Sequence, residues 1–122
     1  LFQILPEWLV YHYEVLPLRR LIVATDPFAV TSPSYILDSY SKHLGMKITH
    51  WHDDDFARDG THGWETVRID PNLTNVAGQQ YKAYLWRQRI FYTTCARQLK
   101  KENYTWVRTV SMIIYLFCAY LG

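Results

Sequence analysis

The chain has 122 residues, with 13 lysines and arginines against 11 aspartates and glutamates for a net charge of +2. That length is one domain's worth and excludes two complete domains, and so slight a basic balance gives no electrostatic case for a nucleic-acid binder. Apolar residues at 49% and aromatic residues at 16% exclude a disordered chain.

Pro6-Glu7-Trp8 opens a predicted helix with Leu9, Tyr11, His12, Val15 and Leu16, because proline is tolerated in a first turn, and Pro17 ends it. Leu21-Ile22-Val23-Ala24, a short apolar run before the turn signal Asp26-Pro27, suits a strand buried on both faces of a parallel sheet. Ser32-Pro33 reads as an N-cap followed by proline at the first helical position, leading into a helix from Ser34 to Leu44 that Gly45 terminates. Met46 to Trp51 alternates as a strand and completes a β-α-β unit.

Residues 52 to 78 lack sustained periodicity and read as a long loop, a length that in compact domains is usually functional or disordered. Gln79 to Lys101 is the strongest helical segment, with Tyr81, Tyr84, Leu85, Gln88, Tyr92, Cys95, Ala96 and Leu99 at helical spacing and Lys100-Lys101 at the negative end of its dipole. Tyr104 to Val107 opens a further predicted strand. The order implies an α/β sheet with right-handed crossovers, in which ligands sit beyond the carboxyl ends of the strands.

Charge is unevenly placed. Asp53, Asp54, Asp55, Asp59, Glu65 and Asp70 make the loop acidic, whereas from Gln79 to Arg108 seven bases, Lys82, Arg87, Arg89, Arg97, Lys100, Lys101 and Arg108, stand against Glu102 alone and make the following helix basic. No carboxylate follows Glu102, and Val110 to Leu121 is almost continuously apolar. That run falls short of the ~20 residues of a membrane-spanning helix and reads as a buried segment or an aberrant tail. Cys95 and Cys118 are a single pair, which spacing alone leaves open as reduced, bridged or unrelated.

The chain opens at Leu1 with no initiator methionine and shows no signal segment, and so reads as a fragment.

The strand ends direct attention to Asp26 and to His50-Trp51-His52-Asp53-Asp54-Asp55. Asp26 is either an Asx-type turn residue before Pro27 or a carboxylate facing a nucleobase or ribose. His50 and His52, at i and i+2 on one strand face, could grip a borderline metal with Asp54, which is the basis of a hydrolase alternative; the competing reading is a strand end followed by a solvated acidic turn. Arg87, Gln88 and Arg89 are either solvated or ion-paired mid-helix groups or a clamp on a diphosphate. Asn72-Leu73-Thr74 and Asn103-Tyr104-Thr105 fit the glycosylation sequon, a tripeptide common by chance and meaningful only in a secretory protein. No P-loop, G-x-G-x-x-G, G-x-S-x-G or Cys-x-x-Cys is present.

Read together, Glu7-Trp8-Leu9-Val10-Tyr11-His12, the strand Leu21 to Ala24 with Asp26, and Gln88-Arg89 with the helix running into Asn103-Tyr104-Thr105-Trp106-Val107 resemble glycosyltransferase family 92 and its relatives over residues 5 to 107. The resemblance implies a Rossmann-like GT-A-type sheet with flanking helices, incomplete C-terminally, in a Golgi or secretory-pathway enzyme reaching the membrane only through a segment outside this chain. It implies transfer of a sugar from a nucleotide-sugar donor to a glycan or other hydroxyl acceptor, with Mn²⁺ or Mg²⁺ held by a D-x-D pair against the leaving diphosphate. By position, Asp26 faces the base or ribose, Asp53 and Asp55 border the nucleotide pocket, and Arg87 or Arg89 approaches the phosphates.

The chain departs from the family at residues 111 to 114, where Ser111-Met112-Ile113-Ile114 stands in place of the D-x-D and supplies no carboxylate for a hard cation. The expected organisation is therefore a nucleotide-binding half over 1–109 and a divergent apolar tail over 110–122, as an altered reading frame or truncated gene would produce, weakly active or inactive in transfer. A non-catalytic nucleotide- or partner-binding remnant is the alternative.

Overall fold

A computed structural model describes residues 4–25, 31–56, 72, 76–104, 108–112 and 115–121. Helix α1 (Ile4–Glu14) precedes strand β1 (Leu18–Thr25), helix α2 (Ser34–Leu44) and strand β2 (Lys47–Trp51). A single helical turn, α3 (Asp53–Phe56), and the long helix α4 (Val76–Lys101) follow, and strands β3 (Arg108–Met112) and β4 (Tyr115–Leu121) complete the order. The chain is a mixed α/β protein with a four-stranded sheet in the order β2-β1-β4-β3.

Within that sheet only β1 and β2 run parallel, in a register from Arg20 opposite Lys47 to Ala24 opposite Trp51. β4 lies against the other edge of β1, antiparallel, with Ile22 opposite Cys118, and β3 pairs antiparallel with β4. The expected crossover sheet is thus confined to the β1-α2-β2 unit. Residues 115–121, from the segment read as an apolar tail, form an inner strand whose Leu116, Phe117, Cys118 and Ala119 are all buried.

Side-chain alternation along β1 builds two cores. Leu21 and Val23 face α1 and α2, packing with Leu5, Leu9, Leu37, Met46 and Phe117, while Ile22 and Ala24 face α4 with Phe56, Ile90, Phe91, Cys95, Leu99 and Leu116. The burial of β1 on both faces was predicted from its unbroken apolar run, and its observed length exceeds that run by Leu18 to Arg20 and Thr25. Trp8 stacks on His12 at 3.8 Å and on Phe117 of β4 at 4.5 Å, so the tryptophan-histidine element of α1 serves packing.

Two local expectations need correction. The N-cap of α2 is Pro33, which offers no side-chain acceptor; Ser32 Oγ instead accepts from the Ser34 amide at 3.3 Å. Gly45 ends the helix as expected, with φ +65° in the left-handed region that glycine enters without steric cost. The apolar stripe of α4 follows the predicted face only in part: Cys95 and Leu99 are buried and Tyr84 and Tyr92 pack against the core as expected, but Tyr81 and Leu85 are exposed, and Arg87, Ile90 and Phe91, which lie off that face, are buried. The bulk of Phe91 and Ile90 against the sheet decides the difference, and Tyr81 keeps its hydroxyl-bearing ring in water.

The predicted loop from 52 to 78 contains α3 and the first turn of α4; the predicted strand residues Thr105 to Val107 lie outside the described residues. α4 and the turn after it are fastened to the sheet at several points: Arg87 donates to the Thr25 carbonyl of β1 at 3.0 Å, a disulfide joins Cys95 to Cys118 of β4 with Cα atoms 6.3 Å apart, and Glu102 just beyond the helix receives Arg20 of β1. No helix among the described residues is long and apolar enough to cross a membrane.

Candidate functional site

Parallel pairing brings the carboxyl ends of β1 and β2 side by side, and polar residues gather there on both faces of the sheet. On the α2 face, Thr25 Oγ1 lies 2.8 Å from His50 Nε2, and Ser34 Oγ lies 3.1 Å from His50 Nδ1. Ser34 Oγ in turn is 2.7 Å from Ser32 Oγ. A neutral imidazole donates from one nitrogen and accepts at the other, so one hydroxyl gives a proton to the ring's hydrogen bond and the other receives one. Burial lowers the pKa of His50, and neighbouring His52, with its ring 4.8 Å away, lowers it further against the opposing pull of Asp38 and Asp55.

On the α4 face, Arg87 is buried and grips Asp53. Its Nε lies 3.2 Å from each carboxylate oxygen, and its Nη2 bonds both Asp53 Oδ1 and, at 3.0 Å, the carbonyl of Thr25. The guanidinium also lies over Phe56, 5.6 Å from the ring centroid. Thr25 is therefore the joint between the two clusters: its hydroxyl serves His50 on one face and its carbonyl serves Arg87 on the other.

The structure brings together four of the residues singled out in the sequence, His50 with His52 and Asp53 with Arg87. Asp55 turns back to accept the amide of His52 at 2.7 Å, closing the start of α3 in the manner of a capping box. Arg89, two residues beyond Arg87, is exposed and borders a cavity of about 270 Å³ on α4 with Trp86, Ile90, Thr93 and Arg97. The two arginines do not converge as a clamp, because residues two apart on a helix do not share a face. Asp26 lies outside the described residues.

Thr25 and Ser34 were not singled out from sequence. The sequence signal for Thr25 is its place, the residue after the predicted strand Leu21 to Ala24; Ser34 stands in the sequence only as the start of a predicted helix.

No family model matches the chain, and neither a curated protein nor a solved structure is detectably similar to it.

The donor set also bears on a divalent cation. A hard ion takes carboxylate or carbonyl oxygen ligands, and Ser111-Met112-Ile113-Ile114 does not fit that chemistry. Among the described residues no three histidines, cysteines or carboxylates converge, and both nitrogens of His50 are engaged by hydroxyls.

Proposed function

We propose that this chain is a nucleotide-binding domain of the nucleotide-sugar glycosyltransferase type, which receives the donor's nucleotide at the carboxyl ends of β1 and β2 and performs no metal-dependent transfer by itself. One observation carries the reading: the parallel β1-α2-β2 unit gathers its polar side chains at the edge of the sheet where α/β proteins bind nucleotides. The combination of a Glu7-Trp8 helix, a strand running to Asp26 and a Gln88-Arg89 helix adds the sugar-nucleotide character by resemblance.

In this reading Asp26 meets the base or ribose. Asp53 and Arg87 neutralise each other and form the floor of the site, which leaves neither free to grip a diphosphate. Ser34 and His50 are the polar groups beside that floor, on the α2 side. The acceptor of the ancestral reaction would be a glycan or another hydroxyl, in a Golgi or secretory lumen, and the buried Cys95–Cys118 bridge supports an oxidising compartment. Transfer assisted by a hard cation calls for paired carboxylates, and no carboxylate follows Glu102 in this sequence.

Calorimetric titration with uridine and guanosine diphosphate sugars, with and without Mn²⁺, tests the proposal. The expected result is binding that Mn²⁺ does not alter, with the donor recovered intact. Absence of binding in every titration would overturn the nucleotide reading, and metal-dependent binding with donor hydrolysis would replace the non-catalytic reading by an active enzyme.

A further inference from the structure

We infer that Asn103 is an N-glycosylation site. Two independent observations meet at this residue. The first is chemical and local: Asn103-Tyr104-Thr105 is a complete acceptor tripeptide, and Asn103 stands exposed in the turn that follows α4. Its amide donates to the Lys100 carbonyl at 3.0 Å, and the next residue's amide closes onto Leu99, so the backbone of the turn is satisfied from within. The carboxamide of Asn103 makes no hydrogen bond among the described residues, and a substituent on it breaks none of these contacts.

The left-handed backbone of Asn103, φ +69°, accounts for asparagine at a helix end, since asparagine tolerates that region better than other residues with a Cβ. It does not account for threonine two positions later, which completes the acceptor in sequence.

The second observation is the compartment. Cys95 and Cys118 are both fully buried and bridged between α4 and β4. A buried structural disulfide marks a chain that folds where thiols are oxidised, and in eukaryotic cells that is where asparagine-linked oligosaccharides are attached. Asn103 lies eight residues beyond Cys95, in the turn whose backbone is tied to the last residues of α4, so the bridge and the asparagine belong to one folded unit.

The transfer consumes a lipid-linked oligosaccharyl diphosphate. The Asn103 carboxamide nitrogen forms a bond to the anomeric carbon, the carbon–oxygen bond to the diphosphate breaks, the lipid diphosphate departs with the electron pair, and the amide proton is released. A host oligosaccharyltransferase catalyses the step. The inference rests on the disulfide and the tripeptide and is independent of the nucleotide reading.

The experiment is expression of the full chain behind a cleavable secretion signal in a eukaryotic host, with peptide mass mapping after peptide N-glycosidase treatment in ¹⁸O-water. The expected result is Asn103 converted to ¹⁸O-labelled aspartate and one mobility step lost on enzyme treatment. Both signals disappear in Asn103→Gln and in Thr105→Ala, and Thr105→Ser retains them; the threonine variants leave Asn103 and its turn in place. Secreted chain carrying the Cys95–Cys118 bridge but an unmodified Asn103, or a glycan confined to Asn72, overturns the inference, as does labelling of Asn103 that survives Thr105→Ala.

Discussion

Arg87 of α4 holds the carboxylate of Asp53 and the carbonyl of Thr25 with one guanidinium, so a helix, a helical turn and the central strand meet at a single buried cation. Removing only the carboxylate leaves that cation buried beside one carbonyl. Asp53→Ala should therefore destabilise the fold by about 3 kcal/mol, whereas Asp53→Ala with Arg87→Met should recover most of the loss, because an apolar pair needs no compensation. Urea unfolding of the two variants measures both values; additive losses would show that the two groups act separately.

Acid should loosen the opposite end of α4. Arg20, followed by Gln98 and Lys47, hydrogen-bonds Glu102 and holds its carboxyl at about 2 from an ordinary 4.5, against the opposing effect of burial. A carboxyl depressed in the folded state stabilises fully above the unfolded value, and that contribution is lost as the pH falls from about 4.5 towards 2. Unfolding midpoints measured across this range should decline in the native chain, and Glu102→Gln, already weaker at neutral pH, should show a flatter profile there.

Reduction of the disulfide should weaken the chain without abolishing its secondary structure. The bridge closes a sequence separation of 23, for which restriction of the unfolded chain amounts to about 3 kcal/mol. Cys95→Ala with Cys118→Ala, or a reductant on the native chain, should lower the thermal midpoint by several degrees, and the double variant should no longer respond to reductant. An equal response of both chains would point to an effect of the reagent elsewhere.

His50 should titrate below the ordinary histidine value of 6.5, chiefly because the fold buries it and also because His52 stands beside it. A depressed histidine is neutral in the folded chain while the unfolded chain takes up the proton first. Stability therefore falls as the pH drops from 6.5 through the lowered value. Proton NMR of the imidazole signals checks the direction, and His52→Gln should move the His50 midpoint upwards. A His50 midpoint above 6.5 would contradict the arrangement.

Much of the fold is legible in the sequence where local chemistry decides it. Gly45 after Leu44 gives the end of α2, the apolar run Leu21 to Ala24 gives a strand buried on both faces, and the His50–His52 spacing gives two rings on one side of β2. The same run rule applies to Leu116-Phe117-Cys118-Ala119, but an unbroken apolar run carries no record of direction or partner, so antiparallel entry beside β1 is not readable from it. The face of α4 escapes for a similar reason. Tyr81 and Leu85 have helical spacing as good as that of Ile90 and Phe91, and the choice is made by the sheet beneath. At the site, Asp53 and Arg87 are each visible as charged candidates, yet their mutual pairing depends on how α3 and α4 approach each other in space.

The position of β4 has a consequence for biosynthesis. β1 and β2 are made early and can pair through a local crossover, but the remaining edge of β1 and the inner face of α4 stay uncovered until residues 115–121 have been synthesised. Bringing Tyr115–Leu121 back to Leu18–Thr25 spans most of the chain, the kind of distant contact that slows folding and leaves a bare strand open to wrong neighbours. In a nascent polypeptide with this topology that edge of β1 stays bare until Tyr115–Leu121 have been made, and the Cys95–Cys118 bridge can lock the arrangement only then.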